Sequence, residues 1–276
     1  MTLIRSLALI FAASVLMGGI ARADTCTPIS AVPTVITSPG TYCVTGYLTT
    51  SQATGVAIEI QADNVVLDFG GWGIDGFGGG IETQAFGVYA LDRNNITIQN
   101  GTIRGFLGGI ALENSAGDFA NTSGHRVTQM LIEGNRSAGV EIRGAGTEVT
   151  NNLIDETGGT SLYGASAIVI YGPDALIAQN NIPVTTTLTA DSEATGVFLF
   201  GAPRCQVNGN RIAYTEGAPQ YSTGVMVWNS PDCVVSRNEF DNGTTSPLDV
   251  GVYVIDSKRV QTISNKMTNV VKNVLR

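Results

Sequence analysis

Between Gly139 and Ser257 the chain writes one short pattern five times, and a repeat of this regularity leaves few folds open. A Gly or Ala precedes alternating aliphatics, a Gly/Ser-Pro-Asp-like turn follows, and an Asn-containing bend comes next. The copies begin Gly139-Val-Glu-Ile-Arg, Ala167-Ile-Val-Ile-Tyr, Gly196-Val-Phe-Leu-Phe, Gly224-Val-Met-Val-Trp and Gly251-Val-Tyr-Val-Ile, at spacings of 28, 29, 28 and 27 residues. Asn152, Asn180, Asn210, Asn238 and Asn265 keep the same beat. Each copy is too small to bury its own apolar face, so the copies must stack. Inward positions are then committed to packing, and function is left to the outward faces.

Period-2 alternation runs through the whole chain and helical periodicity is absent, which makes the fold all-β. A strand that returns to the same side after 22 to 30 residues, with no helix between, implies a ribbon wound into parallel coils. Asn114 to Gly124 reads as a loop inserted between coils, and Gly70 to Gly80 as a second irregular stretch. Asn at each bend suits the left-handed conformation that bends require, and stacked Asn side chains can hydrogen-bond from coil to coil.

The first 23 residues read as an export signal: Arg5, then an apolar run from Leu7 to Met17, then Ala21-Arg22-Ala23 before Asp24. Without them 13 basic residues face 23 acidic ones. That balance, with only three lysines (Lys258, Lys266, Lys272), excludes a nucleic-acid or anionic-lipid surface and disfavours polyanionic polysaccharides unless a metal bridges the charges. After signal removal no integral membrane segment remains in this reading, so the expected location is periplasmic or secreted.

Four cysteines in an exported chain invite disulfides. Cys26 and Cys43 read as a staple of an N-terminal cap over residues 24–50, ahead of a solenoid over residues 51–276. Cys205 and Cys233 occupy one repeat position on adjacent coils, about 4.8 Å apart and within bonding reach. The same position elsewhere holds Ile96, Thr147, Ala175 and Val260, so the sequence favours a column of small buried side chains with both thiols free.

Ser38-Pro-Gly-Thr-Tyr-Cys-Val, the run from Gly55-Val-Ala-Ile-Glu-Ile to Leu67-Asp-Phe-Gly-Gly, the Asn94-Asn-Ile-Thr-Ile-Gln-Asn-Gly segment and the Gly-Val-x-Val repeats carry a family resemblance. Over Thr34 to Met267 the chain resembles right-handed parallel β-helix proteins of the pectate-lyase-like superfamily, particularly the NosD-like periplasmic group. The resemblance implies a right-handed parallel β-helix of about eight coils. It is specific for fold and weak for activity, because this fold hosts unrelated functions. The Asn-Thr-Asp, Asp-Asp, Gly-His-Gly and Arg-Ile-Lys signatures of polygalacturonase-like hydrolases are absent, as is the Asp-Pro-His-Asp of alginate epimerases.

Other motifs add little. His125 is the only histidine, which rules out a multi-histidine metal site, and a structural role suits it best. The glycine run after Gly73 lacks the helix and lysine of a phosphate loop. Phasing the strands is more informative. One outward column reads Tyr89, Ala111, Glu141, Val169, Phe198, Met226, Tyr253; the other reads Leu91, Glu113, Arg143, Tyr171, Phe200, Trp228, Ile255. An outward face should be polar, yet Tyr171, Phe198, Phe200, Trp228 and Tyr253 form an aromatic strip.

Two accounts of the strip compete evenly. Sugars present apolar C–H faces and polar edges, so the strip is a candidate glycan platform with Glu113 at its polar end. Alternatively the loops 155–166, 184–195, 213–223 and 241–249, which contain Leu162, Tyr163, Leu188, Tyr221 and Leu248, fold back and cover it. An oligomer interface ranks behind both. The family resemblance adds a lyase option, in which Arg143 takes a proton α to a uronate carboxylate and Glu141 and Glu113 hold a cation. A surface ion pair is the plainer account of those three residues. No cofactor is required, although Asp155, Glu156, Asp191, Glu193 and Glu216 leave Ca²⁺ open. The function expected first is exported carbohydrate binding, extending to polysaccharide processing. A non-catalytic structural or adhesive protein is the alternative, and a lyase or epimerase comes third.

Overall fold

The structure is a computed structural model that describes residues 26–117, 119, 121–158, 164–187, 192–216, 222–242 and 248–275. The export signal read in residues 1–23 lies outside them, as do Leu162, Tyr163, Leu188, Tyr221 and Asp191.

Ten parallel strands stack in chain order to form one face: Thr34–Ile36, Val56–Ile60, Phe86–Leu91, Gly108–Glu113, Ala138–Arg143, Ala165–Tyr171, Ala194–Phe200, Ser222–Trp228, Leu248–Ile255 and Val270–Leu275. From Val56–Ile60 to Val270–Leu275 the chain takes eight coil-to-coil steps. The remaining described strands form a seventeen-stranded parallel set around the rest of each coil and a short three-stranded one. The winding begins early, because Thr34–Ile36, Gly40–Val44 and Leu48–Thr49 already pair with strands of the next coil.

One inward column of this face is a ladder of like side chains. Val88, Ile110, Val140, Ile168, Val197, Val225 and Val252 lie in register and are fully buried. Parallel in-register pairing puts each branched side chain directly over its counterpart, which suits β-branched residues held in one rotamer. The glycine that opens four of the five copies is closely confined, while Ala167 opens the other. A Cβ on Gly139 would stand 2.6 Å from Ile154 Cγ2 and 2.7 Å from the Ala167 carbonyl oxygen, and Gly196 is confined in the same way by Ile212 and Gly224.

The asparagines build the ladder expected of them. Asn180 Oδ1 accepts from the backbone N–H of Asn152 at 3.1 Å and from its Nδ2 at 3.0 Å, and the pattern continues through Asn210 and Asn238 to Asn265. Each Nδ2 also donates to a carbonyl of the coil before, such as Val149 O for Asn180. The backbone reading needs correction. The left-handed residue at each bend is the one before the ladder asparagine: Asn151, Gln179, Gly209, Arg237 and Ser264, with φ between 53° and 67°. The turn conformation and the inward amide thus fall on adjacent residues of each bend.

The cysteines also require a correction. Cys26 and Cys43 are bonded as expected. Cys205 and Cys233, expected as free thiols, form a second disulfide with Cα atoms 4.6 Å apart. The small residues of their column show that the space is narrow. In-register stacking brings two sulfurs in that space within bonding distance.

Candidate functional site

The outward columns fall where phasing puts them. The register pairs Ala111 with Glu141, Glu141 with Val169, Val169 with Phe198, Phe198 with Met226 and Met226 with Tyr253. The neighbouring column pairs Arg143 with Tyr171, Tyr171 with Phe200, Phe200 with Trp228 and Trp228 with Ile255. Exposure is uneven along it. Trp228 is 39 % exposed, whereas Met226 and Val169 are buried on the same face. Tyr171, Phe198, Phe200 and Tyr253 are half-buried.

The rings interlock instead of lying flat. Phe200 meets Trp228 edge-on at 5.3 Å between centroids, Tyr171 meets Phe200 at 5.9 Å, and Phe198 stands 6.4 Å from both Tyr171 and Phe200. Edge-to-face contacts of this kind fix ring orientation. Tyr253 joins the strip across a groove of about 590 Å³, lined by Trp228, Met226, Tyr253, Glu193, Asp249 and Lys272 among others. A shallower groove of about 350 Å³ lies on the other side of Trp228, between Glu141, Tyr171, Phe198, Thr195 and Glu193. Trp228, Met226 and Glu193 line both grooves.

At the polar end, Arg143 Nε lies 2.6 Å from Glu113 Oε2 and its Nη2 lies 2.8 Å from Glu141 Oε1. The guanidinium carbon sits 4.3 Å from the centroid of Tyr171. Burial would pull the Arg143 pKa down, but hydrogen bonding to Glu141 and the charges of both carboxylates leave it raised. That arrangement keeps the guanidinium charged, the opposite of what a proton-abstracting base needs. Burial first, and then repulsion from Glu141, push Glu113 up to about 7 despite the nearby Arg143. Glu113 lines neither groove and is placed to hold Arg143.

Three features escaped sequence reasoning. The inserted loop brings Phe119 against Tyr171, centroids 5.8 Å apart and planes 30° apart, so this loop does cover one end of the strip. It is tied down where Ser115 donates twice to Asp92 and where Asn114 Nδ2 donates to Thr122 Oγ1. Glu193 accepts a hydrogen bond from Thr223 Oγ1 at 2.8 Å, with its pKa raised by burial. Asp249 Oδ2 accepts from both the backbone N–H and Oγ of Ser222 at 2.9 Å. Glu193 was legible only as a loop acid and Asp249 was not singled out; Glu193 stands just before Ala194–Phe200, Asp249 lies within Leu248–Ile255, and both line the larger groove.

His125 is buried, and burial lowers its pKa to about 4, in keeping with the structural role expected. Among the described residues no three or more His, Cys, Asp or Glu side chains cluster to hold a metal ion. No described helix is long and apolar enough to cross a membrane.

A model of the right-handed beta helix region matches residues 86–275. No curated protein matches the chain. Among solved structures, the enzymatically active domain of bacteriophage CBA120 tailspike protein 2 aligns at TM-score 0.58 and 14% identity, over 87% of this chain and 38% of that one. The tailspike of E. coli bacteriophage HK620, a D339A/E372A mutant solved in complex with a pentasaccharide, aligns at 0.50 and 14% identity over 82% of this chain and 50% of that one. A DFA-IIIase mutant from Arthrobacter chlorophenolicus A6 aligns at 0.50 and 12% identity, over 82% and 65% respectively. The chain thus spans between about two fifths and two thirds of the length of these neighbours, and the likeness is one of fold. With the family model covering well over half of its residues, the chain belongs to the right-handed β-helix family.

Proposed function

We propose that this is an exported carbohydrate-binding protein that holds a glycan along the outward face of the ten-stranded sheet. The observation that carries the reading is Trp228, which stands exposed between two grooves whose other walls supply Tyr171, Phe198 and Tyr253 with the carboxylates Glu141, Glu193 and Asp249. Aromatic faces suit sugar C–H surfaces, and carboxylates suit hydroxyl edges. The pentasaccharide-bound tailspike of the same fold supports the reading. Two disulfides fit an oxidising compartment outside the cytosol, periplasmic or extracellular.

A glycan array is the test. Trp228→Ala should abolish retention while leaving the circular dichroism spectrum of the folded protein unchanged, although loss of the edge-on contact with Phe200 lowers the melting temperature by several degrees. Retention unchanged in Trp228→Ala would remove the strip from the binding site. Lyase activity is disfavoured by the charged state of Arg143. Release of unsaturated, ultraviolet-absorbing ends from uronate polymers, lost in Arg143→Ala, would reinstate it.

A further inference from the structure

We propose that a different face of the coil carries a second saccharide-binding site, built on Tyr47 and Trp72 and separate from the strip. The Gly70–Gly80 run that breaks the repeat pattern is where it forms. Gly70 and Gly71 take φ of 56° and 83°, and Asp68 Oδ1 accepts the Gly70 N–H at 2.7 Å while its Oδ2 accepts from Gln99 Nε2 at 2.9 Å. The anchored turn throws Trp72 outward, where it meets Tyr47 edge-on with centroids 5.4 Å apart. Tyr47 is 70 % exposed and Trp72 42 %, more than Trp228 in the strip.

A cleft of about 270 Å³ opens beside Tyr47, its floor formed where an outward column runs from Gly73 to Thr102 and Leu131. Its size falls near the lower end of small-ligand sites, about 300 Å³. Along its edge Asp75, Arg104 and Glu133 occupy one column on successive coils. Arg104 Nε donates to Asp75 Oδ2 at 3.0 Å and its Nη1 to Glu133 Oε1 at 3.1 Å, while the Phe77 ring lies 5.7 Å from its guanidinium carbon.

The charges select the ligand class. Two carboxylates engage the Arg104 guanidinium, so this row is net negative and Arg104 is not free to bind a uronate, sulfate or phosphate; Arg136, on the same Phe77 ring, does not line the cleft. The carboxylates keep lone pairs that accept from hydroxyls, and Tyr47 offers an exposed apolar face. An uncharged sugar unit, with one C–H face and hydroxyl edges, satisfies both. With the strip on the ten-stranded sheet and this cleft on the seventeen-stranded one, a single chain would contact two glycan segments.

The chain holds two tryptophans, Trp228 in the strip and Trp72 against Tyr47, which lines the cleft, and this makes the sites separately observable. Trp228→Phe leaves Trp72 as the reporter, and Trp72→Phe leaves Trp228. Each variant is titrated with cellohexaose, maltohexaose, xylohexaose and, as the anionic comparison, hexagalacturonate. Trp72 emission should shift saturably with at least one neutral oligosaccharide and not with hexagalacturonate. In the Trp228→Phe background Tyr47→Ala should weaken that response about tenfold, as loss of one aromatic face implies, and Tyr47→Phe should leave it nearly intact. Trp72 emission unmoved by every neutral sugar, or equally responsive in Tyr47→Ala, overturns the proposal. A shift that follows protein concentration instead of sugar also overturns it, in favour of self-association. Failure of the strip alone would appear only in Trp228 emission, so the two outcomes are distinguishable.

Discussion

Arg143 stacks beneath Tyr171 of the next coil, its guanidinium carbon 4.3 Å from the ring centroid, while Glu113 and Glu141 engage its nitrogens. This contact joins the charged end of the outward face to its aromatic end, while burial, ahead of repulsion from Glu141, pushes Glu113 up to about 7 against the pull of Arg143.

Glu113 should make stability fall as pH rises through neutrality. Its folded pKa of about 7 exceeds the ordinary 4.5, so the folded protein retains a proton that the unfolded chain has already released. The resulting stabilisation is complete below about pH 4.5 and is lost as pH rises through about 7, a change of about 2 kcal/mol after allowance for solvent screening. Thermal unfolding between pH 5 and 8 should show Glu113→Gln flatter than the parent. Parallel curves would refute the assignment.

His125 should act at the acid end and in the opposite direction. Its folded pKa of about 4 lies below the ordinary 6.5, so below pH 6.5 the unfolded chain binds the proton first. Stability is then lost as pH falls from about 6.5 to 4, by about 3 kcal/mol in total. Urea unfolding of His125→Gln across that window should lack this slope.

Asn180→Ala should cost about 2–4 kcal/mol, because it removes the acceptor for both Asn152 donors and leaves buried groups unpaired above and below. Asn265→Ala, at the half-exposed end of the ladder, should cost less than half as much. Chemical denaturation measures both, and equal losses would argue against a cooperative ladder.

Thiol alkylation followed by intact mass measurement should find no free cysteine in the oxidised native protein. A paired Cys205→Ser and Cys233→Ser variant should lose about 3–4 kcal/mol, the loop-entropy value for a span of 28 residues. Labelling of Cys205 in the native state would restore the free-thiol reading.

Much of the architecture was legible in the chain because the repeat is periodic. The spacing of Gly139, Ala167, Gly196, Gly224 and Gly251 implied parallel in-register coils, and two-residue alternation then assigned Val140 inward and Glu141 outward without a structure. The amide ladder through Asn180 followed for the same reason, since any residue repeated once per coil must meet its own copy. The placement of Phe119 against Tyr171 and of Glu193 and Asp249 on the groove wall did not follow, because the segments between successive strands of this face differ in length from coil to coil. For Cys205 and Cys233 the repeat placed the two sulfurs within reach, but the other occupants of the column favoured free thiols, and only the structure decided for the bond. Periodic hydrophobicity fixes which side of a strand faces the core, because burial is a local choice made once per residue. Which outward side chains meet, which are covered and which carboxylate is held protonated depend on non-local distances and desolvation, and only the tertiary structure decided those.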